Sequence, residues 1–367
     1  MKLIKGFCSL NPIYRMFFIS STLSSLLTFY FLLDFVPIIF YGIIVSSVTL
    51  IMIIIYLKNY ALNPSKWKTG DIFLLILIFI TIFHLPSNFC ISSRIAYKRK
   101  KKDDLLMKID KYLLGWLVKD GQIFFWIDKN NYIGPHTLVG QFLNNSLQIF
   151  YFFYYIIPYV TMIFLNLLNC GREIIFRYQN NGFKSETYRQ NWNNTLFLFS
   201  VYLLTCTFVF FVNSLVPAIS PRQNLEGQFK HPLTLSGLGK FLNVKCKDNK
   251  TANSFPSGHV AEILCIGLVY MATREYDIAI IVIICSFLIG LATLFLRYHY
   301  FCDILMGIII AFLGFLINYY FGYRKYKNRN NYKDEINQKV KIVRNLPEHK
   351  KELEISEDFY NNLKGTL

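Results

Sequence analysis

The chain has 367 residues, of which 54% are hydrophobic and 17% aromatic, and its mean hydropathy is +0.35. This composition is too apolar for an ordinary soluble protein of the same length. The formal net charge of +17 could indicate nucleic-acid binding. Much of the lysine and arginine lies beside apolar runs, however, where anionic lipid headgroups are the expected partner. We therefore predict an integral membrane protein that does not bind nucleic acid.

Eight apolar runs come close to the roughly 20 residues that a helix needs to cross a hydrocarbon core. They predict an all-α fold, a polytopic membrane helical bundle of about eight transmembrane helices. We expect the first run to stay in the mature protein, because it is long and another apolar run follows at once. The predicted spans are 14–33, 35–57, 72–92, 147–169, 195–217, 257–273, 278–296 and 304–323.

The eight cysteines are scattered, mostly inside the predicted spans, and no CxxC pair occurs. This pattern indicates neither a disulfide framework nor a zinc site.

A segment of a different kind separates the third span from the fourth. It opens with "RIAYKRKKKDD" and continues with apolar residues at helical spacing, which are Leu105, Leu106, Ile109, Leu113, Leu114 and Leu117. The pattern favours an interfacial amphipathic helix, and a solvated basic loop with a short packed helix is an equal alternative. A buried span is disfavoured because it would take Lys108, Asp110 and Lys111 out of water.

With eight spans, the loops at 94–146, 220–256 and 297–303 share one face of the membrane and both termini share the other. Lysine and arginine are slightly more numerous on the face of the termini. The positive-inside rule therefore weakly favours cytoplasmic termini, although the "KRKKK" run lies on the opposite face.

Two polar clusters interrupt apolar sequence on the same predicted face. They are "FPSGHV" (255–260) and "LRYHYFCDILMG" (296–307), and each contains a histidine, His259 and His299. Two spans joined by the tight turn "TREYD" separate them. The chain thus returns to the surface that it left, and we expect the two histidines to lie close together.

His299 and Asp303 are four residues apart and share one face if the helix has begun there. The carboxylate can then accept from one imidazole nitrogen and leave the other bare, as a nucleophile or a base. In the first cluster, Pro256 and Ser257 suit a helix start and Gly258 allows close backbone approach. Free backbone N–H groups there form an anion site, beside which His259 can protonate a departing oxygen.

Two arginines border these clusters. Arg222, in "LVPAISPRQN", lies just outside the fifth span, and Arg297 lies two residues before His299. Both suit bidentate contact with phosphate oxygens. The set predicts a phosphoryl-transfer site that needs no metal or other cofactor. Two alternatives stay open: two histidines and Asp303 could be facial metal ligands, and Arg222 could only anchor the interface.

These residues resemble the type 2 phosphatidic acid phosphatase superfamily, which includes lipid phosphate phosphatases and, more distantly, inositol phosphorylceramide synthases. The resemblance rests on P-S-G-H (Pro256 to His259) and on H-x-x-x-D (His299 to Asp303). It implies a histidine nucleophile at His299, a general acid at His259 and a core of six helices. The implied domains are an N-terminal helix pair (1–70), a catalytic core (71–323) that includes the interfacial segment 94–146, and a polar tail (324–367).

Two basic residues of the family motifs are replaced in this sequence. The first motif usually reads Lys, six residues, then Arg-Pro, whereas here the order is Pro221-Arg222 and Leu215 replaces the lysine. The third motif usually has an arginine six residues before its histidine, where this chain has Thr293. Arg297, or Lys230 or Lys240, would have to supply the missing charge.

The resemblance implies a multi-pass lipid-phosphate phosphatase that forms a phosphohistidine and takes a lipid phosphomonoester or diphosphate. Its expected partners are this substrate and the surrounding membrane lipids. Its active site is expected on the periplasmic or lumenal face of a bacterial inner membrane or a eukaryotic endomembrane. Two alternatives remain: a phosphotransferase that passes a phosphoryl headgroup to a lipid alcohol, and a non-catalytic transporter or scaffold.

Overall fold

The structure is a computed structural model that describes residues 2–30, 38–60, 67–118, 121–162, 186–246 and 252–328. Within these ranges the regular elements are helices and there is no strand; one isolated β-bridge joins Ala218 to Asn253. The prediction of an all-α fold is confirmed.

Four helices form the N-terminal part. They are α1 (Lys2–Ser9), α2 (Pro12–Tyr30), α3 (Ile38–Asn59) and α4 (Trp67–Lys98). Helices α2, α3 and α4 coincide with the first three predicted spans as far as the described residues reach. Since α2 and α4 both pack against the core helix that contains Trp192, this part is continuous with the rest of the bundle.

The next three helices are α5 (Asp103–Leu114), α6 (Ile123–Lys129) and α7 (Leu138–Phe153). Helix α7 covers the first part of the predicted span 147–169; a short helix at Ile157–Tyr159 follows, and residues 163–169 lie outside the described part of the chain. Helix α7 begins earlier, because the Thr137 hydroxyl accepts from the backbone N–H of Gly140 at 2.9 Å, and it ends at Phe153. Pro158 explains the early end, since proline has no N–H with which to continue the helical ladder.

The longer helices in the rest of the described part are α8 (Glu186–Leu215), α9 (Gly237–Cys246), α10 (Gly258–Thr273), α11 (Tyr276–Phe295) and α12 (Phe301–Asn318). Short helices lie at Ile157–Tyr159 and Pro221–Asn224. A wide turn at Tyr319–Tyr323 continues α12 as helix to Asn328. The helix thus passes the predicted boundary at residue 324. The remainder of the predicted tail, 329–367, lies outside the described residues.

Three helical stretches in the described part are long and apolar enough to cross a membrane: Trp192–Leu215, Tyr276–Phe295 and Phe301–Asn328. Three shorter ones, Ile43–Asn59, Ile72–Thr81 and Gly258–Thr273, are also apolar. A multi-pass membrane protein is thereby supported. The number of eight spans and the division into domains stay predictions.

Helix α5 lies in the segment 94–146, where a helix was predicted, and its buried side consists of Asp103, Leu106, Asp110 and Leu114. Leu105, Ile109 and Leu117 are exposed, and a position at the membrane interface stays a prediction for these apolar residues. The two buried aspartates accept backbone N–H groups of neighbouring segments.

Helices α8, α10 and α12 pack against one another, and α11 packs on α10. A Cβ at Gly307 of α12 would lie 2.5 Å from the carbonyl oxygen of Ser257, so only glycine permits this approach. The beginnings of α10 and α12 therefore lie side by side, and the two predicted histidine clusters meet there.

Candidate active site

His299 lies between His259 and Asp303 in one hydrogen-bonded row. Its Nε2 is 3.1 Å from Nδ1 of His259, and its Nδ1 is 3.2 Å from Oδ2 of Asp303. His299 and Asp303 are buried. The predicted meeting of the three side chains is observed in the structure, although their chemical roles are untested.

The beginning of α12 fixes Asp303. Tyr300 is the N-cap of this helix and Asp303 its third residue, so the carboxylate accepts the Tyr300 backbone N–H at 2.9 Å. The backbone carbonyl of Asp303 accepts the N–H of Ser257 at 2.9 Å. This bond joins the helix start that holds Asp303 to the helix start that holds His259.

Ser254 is a third donor to the carboxylate. Its hydroxyl lies 2.6 Å from Oδ2 of Asp303 and is buried. The segment that contains Ser254 is held beside the Pro217–Ser220 turn, because the N–H of Ser254 donates to the carbonyl of Ala218 at 3.0 Å. With Asp303 held as an acceptor, Nδ1 of His299 carries the proton and Nε2 presents its lone pair.

The turn before His299 is held by hydrogen bonds to the backbone of Thr293 in α11. The Thr293 carbonyl accepts the backbone N–H groups of Tyr298 and His299, at 2.8 and 3.2 Å. At this position the family pattern has an arginine, whereas the Thr293 side chain is fully buried and its hydroxyl donates to the Gly290 carbonyl at 2.7 Å.

The start of α10 has the features of an anion site. Ser257 is its N-cap, and the buried Ser257 hydroxyl has no hydrogen-bond partner among the described residues. A Cβ at Gly258 would lie 3.3 Å from Val209 and from Oε1 of Glu262, so the glycine is closely packed. The first backbone N–H groups of a helix lack intrahelical partners and attract anions.

The two predicted arginines are in different environments. Arg222 is half-buried, its Nη1 lies 3.4 Å from the Tyr298 hydroxyl, and its backbone N–H donates to the Arg297 carbonyl at 2.9 Å. Arg297 is buried and ion-paired to Asp128 at 2.9 Å, with its guanidinium 3.8 Å from the centre of the Phe229 ring.

Burial lowers the pKa of Arg297 to about 10, and the nearby Asp128 only partly offsets this effect. Arg297 also adopts a left-handed backbone conformation, with φ of 62°. Its guanidinium donates to Asp128 and to the His231 carbonyl, which are structural contacts of the surrounding loops. A role in binding phosphate stays a prediction for Arg297 and for Arg222.

Two tyrosines contact the ring of His259, and a third stacks on one of them. The ring centre of His259 is 4.2 Å from that of Tyr154 and 4.8 Å from that of Tyr151, and Tyr151 stacks on Tyr298 at 4.4 Å. The Tyr154 hydroxyl donates to Glu262, a buried carboxyl on α10. His259 is thus oriented by aromatic contact as well as by His299.

Several residues of this region were not predicted from the sequence. Ser254 stands two residues before the P-S-G-H motif, and a hydroxyl so close to the motif was an available signal. Glu262 was detectable as a carboxyl within an apolar helix. Nothing in the local sequence marks Tyr154, or Asp110 and Asp128 as partners of distant loops.

A membrane helical bundle with a buried His–His–Asp row at two adjacent helix starts defines a candidate phosphoryl-transfer site. Comparison with known proteins agrees with this class. Residues 195–327 match the family model of the PAP2 superfamily, and the segment includes His259, His299 and Asp303. The resemblance indicated by the two motifs is thereby confirmed.

A curated relative, a PA-phosphatase related-family protein of Dictyostelium discoideum, is 30% identical over 232 residues. The alignment covers 61% of this chain and 40% of the relative, so the chain spans well under half of the relative's length. No solved structure matches the chain.

Proposed function

We propose that the protein is an integral membrane enzyme that removes phosphate from a lipid phosphomonoester or diphosphate through a phosphohistidine. The observation that supports this most directly is the row His259–His299–Asp303, with its two hydrogen bonds of 3.1 and 3.2 Å. The family match over residues 195–327 and the name of the Dictyostelium relative support the same class of reaction.

In the first half-reaction, Nε2 of His299 attacks phosphorus and a P–N bond forms while the P–O bond to the lipid breaks. His259, as an imidazolium, gives its proton to the departing alkoxide. The positive charge that develops on His299 is stabilised by the Asp303 carboxylate at Nδ1. In the second half-reaction water attacks phosphorus, His259 accepts its proton, and phosphate leaves His299.

The phosphate oxygens need donors that are in place before the reaction. The unpartnered hydroxyl of Ser257 and the backbone N–H groups at Gly258 and His259 are suited to this purpose. Arg222, half-buried in the short helix Pro221–Asn224, is the proposed cation. Arg297 is proposed to act on the site indirectly. Its backbone carbonyl accepts the backbone N–H of Arg222 and so holds the loop that contains Arg222.

Substrate binding requires a change at the histidines. Phosphorus must lie between the attacking nitrogen and the leaving oxygen, and the general acid must lie beyond that oxygen. The two histidine nitrogens, 3.1 Å apart in the structure, are too close for this arrangement. The substrate phosphate is therefore expected to replace their mutual hydrogen bond. The site is proposed to face the periplasm or lumen, since cytoplasmic termini with eight spans would put it there.

The test is phosphate release from phosphatidic acid, a sphingoid-base phosphate and a prenyl diphosphate, measured with EDTA present. Wild type, His299→Ala and a matched histidine control, His136→Ala, are compared; His136 is exposed and stacks on His231. We expect release by wild type and by His136→Ala, and a loss of at least about 10³-fold in His299→Ala. Equal activity in His299→Ala would overturn the assigned nucleophile.

Release from none of the lipids would lead to the alternative of headgroup transfer, tested with labelled phospholipid and either ceramide or diacylglycerol as acceptor. Absence of both activities would favour a non-catalytic transporter or scaffold.

A further inference from the structure

Glu262 is a buried carboxyl in the apolar helix α10, one turn after His259, with 5% of its surface exposed. Burial of a carboxyl at such a position is costly, and carboxyls retained inside membrane helices commonly have a function. Two hydroxyl groups satisfy its Oε2: Tyr202 donates at 2.8 Å and Tyr154 at 3.1 Å.

The two tyrosines differ in one respect. Tyr154, at the end of α7, places its ring 4.2 Å from the ring of His259, with 52° between the planes. Tyr202, on α8, has no ring contact with a histidine among the described residues and belongs to the hydrophobic core. Tyr154 therefore contacts both Glu262 and His259, whereas Tyr202 contacts the carboxyl but not the histidine.

Tyr154 lies where the chain is not regular. Helix α7 ends at Phe153, and residues 154–156 form a turn before Pro158. A side chain at a helix end is held less tightly by its own backbone than one inside a helix. The bond from the Tyr154 hydroxyl to Glu262 supplies the missing constraint and ties the turn to α10.

We infer that Tyr154 and Glu262 are positioning residues that hold the ring of His259 in the orientation needed to protonate the leaving group. This inference rests on the proposed function. The hydroxyl fixes the Tyr154 ring, the ring limits rotation of the imidazole, and Glu262 acts as a hydrogen-bond acceptor. Neither residue exchanges a proton with the substrate.

The test compares Tyr154→Phe with Tyr202→Phe. Each variant removes one hydroxyl from Glu262 and leaves the other, so a purely structural role predicts equal effects on activity and thermal stability. The positioning role predicts that Tyr154→Phe lowers kcat about tenfold with KM changed less than twofold, whereas Tyr202→Phe lowers kcat less than twofold.

A second readout uses the leaving group. Each variant is assayed on the best lipid alkyl phosphate and on a nitrophenyl phosphate with the same acyl chain, whose phenolate leaves without a proton. The tenfold loss in Tyr154→Phe is expected in kcat/KM for the alkyl phosphate, and a loss under threefold for the nitrophenyl ester. This parameter reports the transfer of the phosphoryl group to His299, and in that step only the alkyl leaving group needs a general acid.

The conservative variant completes the set. Glu262→Gln keeps an oxygen that accepts both hydroxyls and should retain at least half of the wild-type kcat, while Glu262→Leu should lose about as much as Tyr154→Phe. Equal losses in the two tyrosine variants, equal losses on both esters, or a Gln variant as impaired as the Leu variant would overturn the inference. A wild type that hydrolyses neither ester would instead overturn the proposed function.

Discussion

A single carboxylate oxygen organises the candidate site. Oδ2 of Asp303 accepts from Ser254, from the Tyr300 backbone and from His299, at 2.6, 2.9 and 3.2 Å. Three donors on one buried oxygen fix the carboxylate, and the carboxylate in turn fixes the tautomer of His299. The shortest of these bonds comes from the Ser254 hydroxyl, so removal of this hydroxyl tests whether the fixed carboxylate contributes to activity.

We predict that Ser254→Ala lowers kcat about tenfold and leaves KM nearly unchanged. A hydrogen bond to a charged group contributes about 1.5–3 kcal/mol to its stabilisation. The expected loss lies at the lower end of this range because His299 and the Tyr300 backbone still donate to the carboxylate. Steady-state kinetics of the purified protein measures the effect. Ser286→Ala is the control, since Ser286 is also buried and its hydroxyl donates to the Val260 carbonyl at 3.3 Å, away from the Asp303 carboxylate. A kcat equal to that of wild type would show that Ser254 does not support Asp303.

The residues of the row were predictable because motif spacing and helix geometry determine them. His299 and Asp303 are four residues apart, and a helix start at that point brings them together. The environment of Arg297 was not predictable, because its partner Asp128 is 169 residues away in sequence. Local sequence contains no information about such a pairing.

At the scale of elements, α5 holds the loops of the site through two buried aspartates. Asp110 accepts the backbone N–H groups of Phe301 and Cys302, at 2.9 and 2.8 Å, and thereby caps α12. Asp103 accepts the Ile219 N–H at 3.1 Å and the Tyr300 hydroxyl at 3.2 Å. Burial raises the pKa of each carboxyl to about 6, although these hydrogen bonds oppose the shift.

These pKa values predict a pH dependence of stability. A carboxyl with a higher pKa in the folded than in the unfolded protein binds its proton more tightly when folded. Its contribution is therefore complete below about pH 4 and is lost as the pH rises through 6. Relative to the double variant Asp103→Asn/Asp110→Asn, the wild type should lose about 2 kcal/mol per carboxyl between pH 4 and 7.

Unfolding of both proteins in detergent across this pH range measures the difference. Asp104→Asn is the matched control, because Asp104 is exposed on the same helix, and its pH dependence should equal that of wild type. A wild-type stability that rises with pH relative to the double variant would contradict the assigned direction.

The close approach of α10 and α12 gives another prediction. Gly307→Ala places a Cβ 2.5 Å from the Ser257 carbonyl oxygen, which must move the two helix starts apart. We expect a loss of about 1–3 kcal/mol in stability and a lower kcat.

Gly290→Ala on α11 is the matched control for Gly307→Ala. Its Cβ would meet its nearest neighbour, a Val260 methyl group, at 3.5 Å, which is an ordinary contact. Since alanine is the better helix former, this variant should be as stable as wild type or more so. Unfolding curves of the two variants measure the difference, and equal stability would show that the bundle absorbs the contact at Gly307.

At the scale of the whole molecule, the exposed surface of α11 is apolar. Ile280, Ile281, Ile284 and Phe287 are each more than half exposed, which suits contact with lipid chains. Phe287→Lys should reduce membrane integration, since a lysine near the centre of a span costs about 2.5–3.5 kcal/mol.

Tyr276→Lys, at the end of the same helix, should be tolerated because a terminal lysine reaches the headgroups. The membrane-bound fraction after alkaline extraction distinguishes the two variants. A membrane-bound fraction of Phe287→Lys equal to that of Tyr276→Lys and wild type would contradict a membrane position of α11.

Hydropathy predicted most of the architecture, because apolar length alone identifies helices such as α3 and α11. At α7, the Thr137 cap starts the helix earlier than hydropathy predicts, and Pro158 interrupts the predicted span. The buried aspartates of α5 were not predicted, since period alone cannot show that Asp103 and Asp110 will find backbone donors in distant segments. Whether a polar side chain is buried depends on hydrogen-bond partners from distant parts of the chain, and the local sequence does not show these partners.

The central claim is that His299 forms a covalent bond to phosphorus. The most direct measurement is to mix the purified protein, in EDTA, with a lipid phosphate labelled at phosphorus, to stop the reaction in base, and to locate the label by peptide mass spectrometry. If His299 is the nucleophile, we expect one phosphoryl group on His299 in wild type and none in His299→Ala. Label on a different residue, or turnover by wild type without any labelled histidine, would contradict it.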